Sequence, residues 1–109
     1  MRRTELLLTA DGATSVYPVN HYASNIQIGL AIDVIGSGSF TVQVTYDDVF
    51  AKGFDPSTAK WFDHPTLAAE AADVEGVQNT PCTGIRMTGT GVAGGGARLI
   101  IVPAAGQVN

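Results

Sequence analysis

The sequence contains little of what disulfide-stabilised or nucleic-acid-binding proteins need. Cys82 is the only cysteine among 109 residues, so no intramolecular disulfide can form, and we expect its thiol to be a small buried apolar group. Only 15% of the residues are charged, and the net charge is -4. The six basic residues are scattered apart from the pair Arg2 and Arg3, whereas phosphate backbones are bound by clustered Lys and Arg. We therefore expect no nucleic-acid partner.

Long hydrophobic runs are also missing. Arg2 and Arg3 are followed only by Leu6, Leu7 and Leu8 before polar residues interrupt the run, which is too short for a signal peptide. No stretch approaches the roughly 20 apolar residues of a membrane helix. We expect no membrane partner and a protein that is made in the cytoplasm and stays or is assembled there. At this length the whole chain, residues 1–109, is expected to form one domain.

Two runs with apolar residues at every second position are the clearest structural signal. Residues 26–34 carry Ile, Leu or Val at even positions, and residues 40–46 place Phe, Val and Tyr likewise. This period of two is typical of strands with one buried face. Gly36-Ser37-Gly38-Ser39 lies between the runs and favours a tight turn. The pattern predicts an antiparallel hairpin with both apolar faces on the same side of one sheet.

Further short runs indicate additional strands. Pro18 cannot donate a ladder hydrogen bond, so its run is expected at a sheet edge. Residues 97–102 include four consecutive apolar residues, which predicts that both faces of that strand are covered. The additional strand candidates are residues 4–9, 15–19, 83–88 and 97–102.

Six or so short strands predict an all-β fold, a small antiparallel β-sandwich or jelly-roll-like domain. The segment from Phe54 to Gly76 breaks the strand pattern. Its part at residues 66–75 is alanine-rich and ends before Gly76, so it forms either two helical turns or an extended loop. We therefore expect at most one short helix, near residues 66–75.

One glycine-rich stretch imitates a cofactor motif. Gly89-Thr90-Gly91-Val92-Ala93-Gly94 matches the letters of a dinucleotide-binding turn, which functions only where it opens a helix. Here the glycines lead into the strand candidate at 97–102, so we interpret them as a strand connection. No cofactor is predicted.

The titratable pairs give no stronger indication of chemistry. Asp47 and Asp48 are adjacent at a strand end, where successive side chains point to opposite faces and cannot easily converge on one ion. Asp63-His64 invites a metal site, but His21 is the only other histidine and no zinc-type spacing occurs. We interpret His64 as a loop histidine that is hydrogen-bonded to backbone. The sequence predicts neither a metal site nor an enzyme.

Aromatic residues outside the two best strands are the candidates for a binding surface. Trp and Tyr combine large apolar area with a polar group and dominate many protein interfaces. The alternative is that these side chains close the ends of the sandwich and belong to the core. The candidate interface residues are Tyr17, Tyr22, Trp61 and Phe62.

Several segments carry a resemblance to a known class of proteins. They are residues 15–20, 26–34, 40–48, 61–65 and 83–86. In these the chain resembles small β-rich virion proteins of tailed bacteriophages, of the capsid decoration or cement type. The resemblance spans most of residues 4–103 but contains strands and turns rather than a chemically diagnostic motif.

The resemblance implies a protein on the outer face of an icosahedral capsid. Its partner would be the major capsid protein, it would form a homo-oligomer, with a trimer favoured over a dimer, and it would stabilise the shell. It transfers no functional residue to this chain.

Two alternatives remain at this stage. A neck or tail connector or a fibre-attachment component would share the same type of fold but occur in far fewer copies. A carbohydrate-binding β-sandwich would use Trp61, Phe62 and the tyrosines as a stacking platform.

Overall fold

The computed structural model describes residues 3–19, 28–47, 49, 51–78 and 82–103. These residues form nine strands in two antiparallel sheets and contain no helix, which confirms the predicted all-β sandwich. The strands are β1 Thr4–Leu8, β2 Gly12–Ala13, β3 Tyr17–Pro18, β4 Ile28–Val34, β5 Ser37–Thr45, β6 Trp61–Asp63, β7 Val74–Gln78, β8 Gly84–Ala93 and β9 Ala97–Pro103.

The nine strands are divided between two sheets. The first sheet has the order β1-β9-β4-β7, and the second has the order β2-β8-β5-β6. The short strand β3 also pairs with β8, beside β2, and leaves Pro18 at an edge as its missing N–H predicts.

The predicted hairpin is wrong. Strand β4 pairs with β9 and β7 in the first sheet, while β5 pairs with β8 and β6 in the second. The chain therefore crosses between the sheets at residues 35–36 instead of turning back on itself, and β5 begins at Ser37, within the predicted turn. A period of two reports which side chains face inward, but it is the same whether the next strand lies in the same sheet or the opposite one.

Two crossings lie side by side and shape the sandwich. The chain from β8 to β9 crosses at residues 94–96, and the backbone N–H groups of Ile35 and Gly36 both donate to the Gly96 carbonyl at 2.9 Å. The pair β4-β5 and the pair β8-β9 thus form one long antiparallel ribbon that is folded over at this corner. Gly36 is needed there because a Cβ atom would overlap the carbonyl oxygens of Ala93 and Gly94.

The core lies between the two sheets and follows the predicted alternation. Val34, at the end of β4, is partly buried, and the other inward apolar side chains of β4 and β5 are buried: Ile28, Leu30, Ile32, Phe40, Val42 and Val44. The alternation stops at Thr45, so Tyr46 lies beyond the strand and is half exposed. In β9, Leu99 and Ile101 are buried but Val102 is 48% exposed, so the prediction that both faces are covered is wrong for this chain alone.

The segment after β6 is extended, and no helix forms among residues 66–75. It runs along the edge of β5, where Phe40 and Glu70 exchange two backbone hydrogen bonds of 2.8 Å and the Val42 N–H donates to the Leu67 carbonyl. These bonds satisfy backbone groups that a short helix would otherwise have to pair internally. Leu67 is fully buried, and it packs over Gly76, where a Cβ would approach a Leu67 methyl carbon to 3.1 Å.

Candidate protein-docking surfaces

The outer face of the first sheet contains a shallow apolar depression, here called the apolar trough. Gly29 in β4 lies directly between Val102 of β9 and Val77 of β7, so the central strand is low and its neighbours are high. Ala31 continues this low floor one row further along the strand. The trough has a volume of about 460 Å³ and is lined by Gly29, Leu30, Ala31, Glu75, Gly76, Val77, Ile100 and Val102.

The apolar side chains around the trough are unusually open to solvent. Val77 is 52% exposed and Val102 48%, and Leu7 on the same sheet is 58% exposed. Single exposed apolar residues are ordinary on protein surfaces, but several on one sheet face indicate a contact site.

Charged residues of β1, β4 and β9 lie next to the trough residues Ala31 and Ile100 on the first sheet. The Arg98 guanidinium donates to Glu5 at 2.6 Å and to Asp33 at 2.8 Å, while Arg3 donates to the other Glu5 oxygen at 2.7 Å. Hydrogen bonds from Arg3 and Arg98 hold the pKa of Glu5 below its usual value. Exposed ion pairs of this kind add little stability, so their main effect is to fix where the charges lie. An apolar centre with a polar rim is the usual anatomy of a protein interface.

A second group of side chains, here called the Arg86 cluster, lies on the outer face of the second sheet. Arg86 Cζ stands 4.1 Å from the centroid of the Trp61 ring, and its Nε donates to Gln43 Oε1 at 3.0 Å. The Gln43 amide then donates to Asp63 Oδ1 at 2.9 Å. Trp61 is itself held by a 2.9 Å hydrogen bond from Nε1 to the Pro56 carbonyl. The strand register places Gln43 opposite both Arg86 and Asp63, which is why the three side chains meet.

The four aromatic candidates do not form one surface. Tyr17 is buried in the core, and Tyr22 lies outside the described residues. Trp61 and Phe62 are neighbours in β6 and therefore point to opposite sides of the sheet. Phe62 is 46% exposed and packs edge-to-face against Tyr46, with ring centroids 5.5 Å apart and an interplanar angle of 64°.

The titratable side chains of His64, Asp47 and Cys82 are buried or hydrogen-bonded to backbone. His64 is buried, with Nε2 2.9 Å from the Val77 carbonyl oxygen and Nδ1 accepting from the Thr66 backbone N–H, as predicted for a loop histidine. Asp47 accepts a hydrogen bond from the Lys60 backbone N–H, and Asp48 lies outside the described residues. Cys82 is buried as predicted, and burial raises the pKa of its thiol to about 11.

The glycine-rich stretch opens no helix. Gly89 to Ala93 continue strand β8, and the turn at 94–96 leads into β9. In the part of the chain that the structure covers, no three His, Cys, Asp or Glu side chains come close enough to hold a metal ion. That part also lacks any helix long and apolar enough to cross a bilayer.

The apolar trough was not among the predicted site residues. The strongest sequence signal for it is the apolar run at 99–102, whose outward members Ile100 and Val102 form one wall. The trough also requires Val77 beside Gly29, a neighbourhood created by the pairing of two strands that are far apart in the sequence.

No protein-family model matches this chain, and the search of curated proteins and the search of solved structures found no significant match. The class of structure is given by the strand order itself, which is that of a small antiparallel β-sandwich.

Proposed function

We propose that this chain is a virion structural protein, a capsid decoration or cement protein that binds the outer face of a phage capsid and stabilises it. The observation that carries the proposal is the apolar trough with its charged border. It offers a ready contact face on a chain whose described residues bring no three potential metal ligands together. The resemblance to small β-rich virion proteins supplies the partner, the major capsid protein.

The shape of the trough suits a protein partner. A low floor at Gly29 and Ala31 between the walls of Val77 and Val102 accepts a protruding apolar side chain from the other surface. Such anchors in a desolvated centre provide most of the binding energy of an interface. The ion pairs around Arg98 then lie at the rim, where charges set orientation more than affinity.

Stabilisation of the shell would follow from mass action. A protein that binds the assembled lattice better than dispersed subunits lowers the free energy of the closed shell. A homo-oligomer engages several lattice sites at once, and avidity then exceeds single-site affinity by roughly 10² to 10⁴. A trough of modest area is sufficient for such a repeated contact.

Copy number separates this function from that of a neck or tail connector. Quantitative mass spectrometry of purified virions measures the ratio of this chain to the major capsid protein. A decoration protein is present in a number comparable to that of the capsid subunits, whereas a connector ring is a single closed assembly of about a dozen copies or fewer. Virions that lack the chain, or hold it only at the ring number, would contradict the proposal.

The carbohydrate-binding alternative has less support from the geometry of the aromatic rings. A stacking platform requires exposed rings with open faces. Arg86 covers one face of Trp61, and Phe62 and Tyr46 are inclined to each other by 64°. A glycan array in which binding is lost on Trp61→Ala, with the fold intact, would reverse this preference.

A further inference from the structure

We propose that the Arg86 cluster is a carboxylate-binding site, which anchors an acidic side chain or a C-terminal carboxylate of a partner protein. The site lies on the second sheet, on the other side of the sandwich from the apolar trough. The inference stands apart from the proposed function, because it concerns a property of the isolated chain that needs no capsid.

The guanidinium of Arg86 is held in place by neutral groups. The Trp61 ring supports one of its faces at 4.1 Å, and Gln43 accepts the hydrogen bond from Nε. Asp63 lies across from Gln43 on the other neighbouring strand, and its carboxylate accepts a hydrogen bond from the Gln43 amide. Within the described ranges, Arg86 forms no salt bridge. Its side chain is therefore held in position, and no carboxylate of the described residues pairs with it directly.

Arg98 shows the contrasting arrangement on the first sheet. Two carboxylates, those of Glu5 and Asp33, neutralise Arg98, and their hydrogen bonds raise its pKa. Burial instead lowers the pKa of Arg86. A half-buried cation without a counter-ion gains from an anion that arrives with a partner.

The free part of Arg86 selects the type of anion. With Nε engaged by Gln43, the two terminal nitrogens have no hydrogen-bond partner among the described residues and form a planar pair of donors, which matches the two oxygens of a carboxylate. The aromatic ring beneath adds a cation–π contact that keeps the guanidinium plane fixed. A nucleic-acid phosphate is a poorer candidate, because the chain has a net charge of -4 and its six basic residues are scattered along the sequence apart from Arg2 and Arg3.

Trp61 makes the site directly measurable, since it is the only tryptophan in the chain. The purified protein is titrated with sodium acetate, and separately with inorganic phosphate, at constant ionic strength. Tryptophan emission and the NMR resonance of the Arg86 Nε–H group are recorded. We expect a saturable shift of both signals with acetate, with half-saturation on the order of 10 mM for one charge-assisted pair.

Two variants and one control define the result. Arg86→Lys keeps the charge but loses the fork, and we expect at least a tenfold loss of acetate affinity. Gln43→Glu keeps Arg86 but supplies an internal carboxylate, and we expect it to abolish the response. Arg98→Lys, on the opposite sheet, should respond like the wild type.

Three outcomes would overturn the proposal. They are an acetate response that does not saturate, a response that survives Gln43→Glu in a folded protein, and a response to phosphate alone. Circular dichroism of each variant establishes that it is folded. Because the titration uses the isolated chain, it can fail while virion copy number still supports the decoration function, and the reverse also holds.

Discussion

Replacement of Gly36 by alanine tests the folded ribbon at the corner where the two crossings meet. The new Cβ would overlap the carbonyl oxygens of Ala93 and Gly94, so the two crossings must move apart. That movement removes the hydrogen bonds from the Ile35 and Gly36 N–H groups to Gly96. Two net hydrogen bonds of about 1 kcal/mol each, plus about 1–3 kcal/mol for forced packing, predict a loss of about 3–5 kcal/mol in the free energy of unfolding.

Urea denaturation followed by Trp61 fluorescence measures this loss. With a slope of about 1–3 kcal/mol/M, typical of small proteins, the midpoint should fall by more than about 1 M. Gly91→Ala is the matched control, because Gly91 has a φ of +63° but nothing lies within 4 Å of an added Cβ. Its cost should be only the backbone strain of about 1–2 kcal/mol. If Gly36→Ala is no more destabilising than Gly91→Ala, the two crossings do not lie side by side as described.

Two further predictions concern buried groups. Leu67→Ala should lower the free energy of unfolding by about 2–5 kcal/mol, because Leu67 is fully buried. The control Leu7→Ala, at a 58% exposed position, should change it by no more than about 0.5 kcal/mol. Equal losses for the two variants would mean that residues 64–70 do not pack along β5. Cys82 has a pKa of about 11, so at pH 8 its thiolate fraction is about a hundredfold below that of an ordinary thiol. A disulfide reagent should therefore label Cys82 at least a hundredfold more slowly in the native protein than in urea, and equal rates would contradict its burial.

Local pattern was sufficient to predict which residues face the core. The even positions from Ile28 to Ile32 and from Phe40 to Val44 are inward, as the period of two requires. The pattern was insufficient to predict which strands pair with each other, because Gly36 suits both a hairpin turn and a crossing between sheets. What decides between them is the pairing of β4 with β9 and of β5 with β8, and those contacts are distant in sequence.

The candidate sites were less predictable than the fold. Trp61 was singled out for its residue type, but its significance depends on Arg86, which reaches it only through the register of β8 and β5. The trough depends on the absence of a side chain at Gly29 between two valines from other strands. A missing side chain has no local signature, since glycine is frequent in this sequence for other reasons.

The proposal that the protein works through the apolar trough is tested most directly by binding to shells. Purified capsid shells that lack the chain are mixed with wild type, Val77→Lys or Phe62→Lys, and the bound copies are counted after sedimentation. Val77 and Phe62 are each about half exposed, so both lysine variants should fold. We expect Val77→Lys to weaken binding at least about tenfold, because its charge would be desolvated in the contact, and Phe62→Lys to bind like the wild type. Undiminished binding of Val77→Lys, or equal weakening by both variants, would contradict the account.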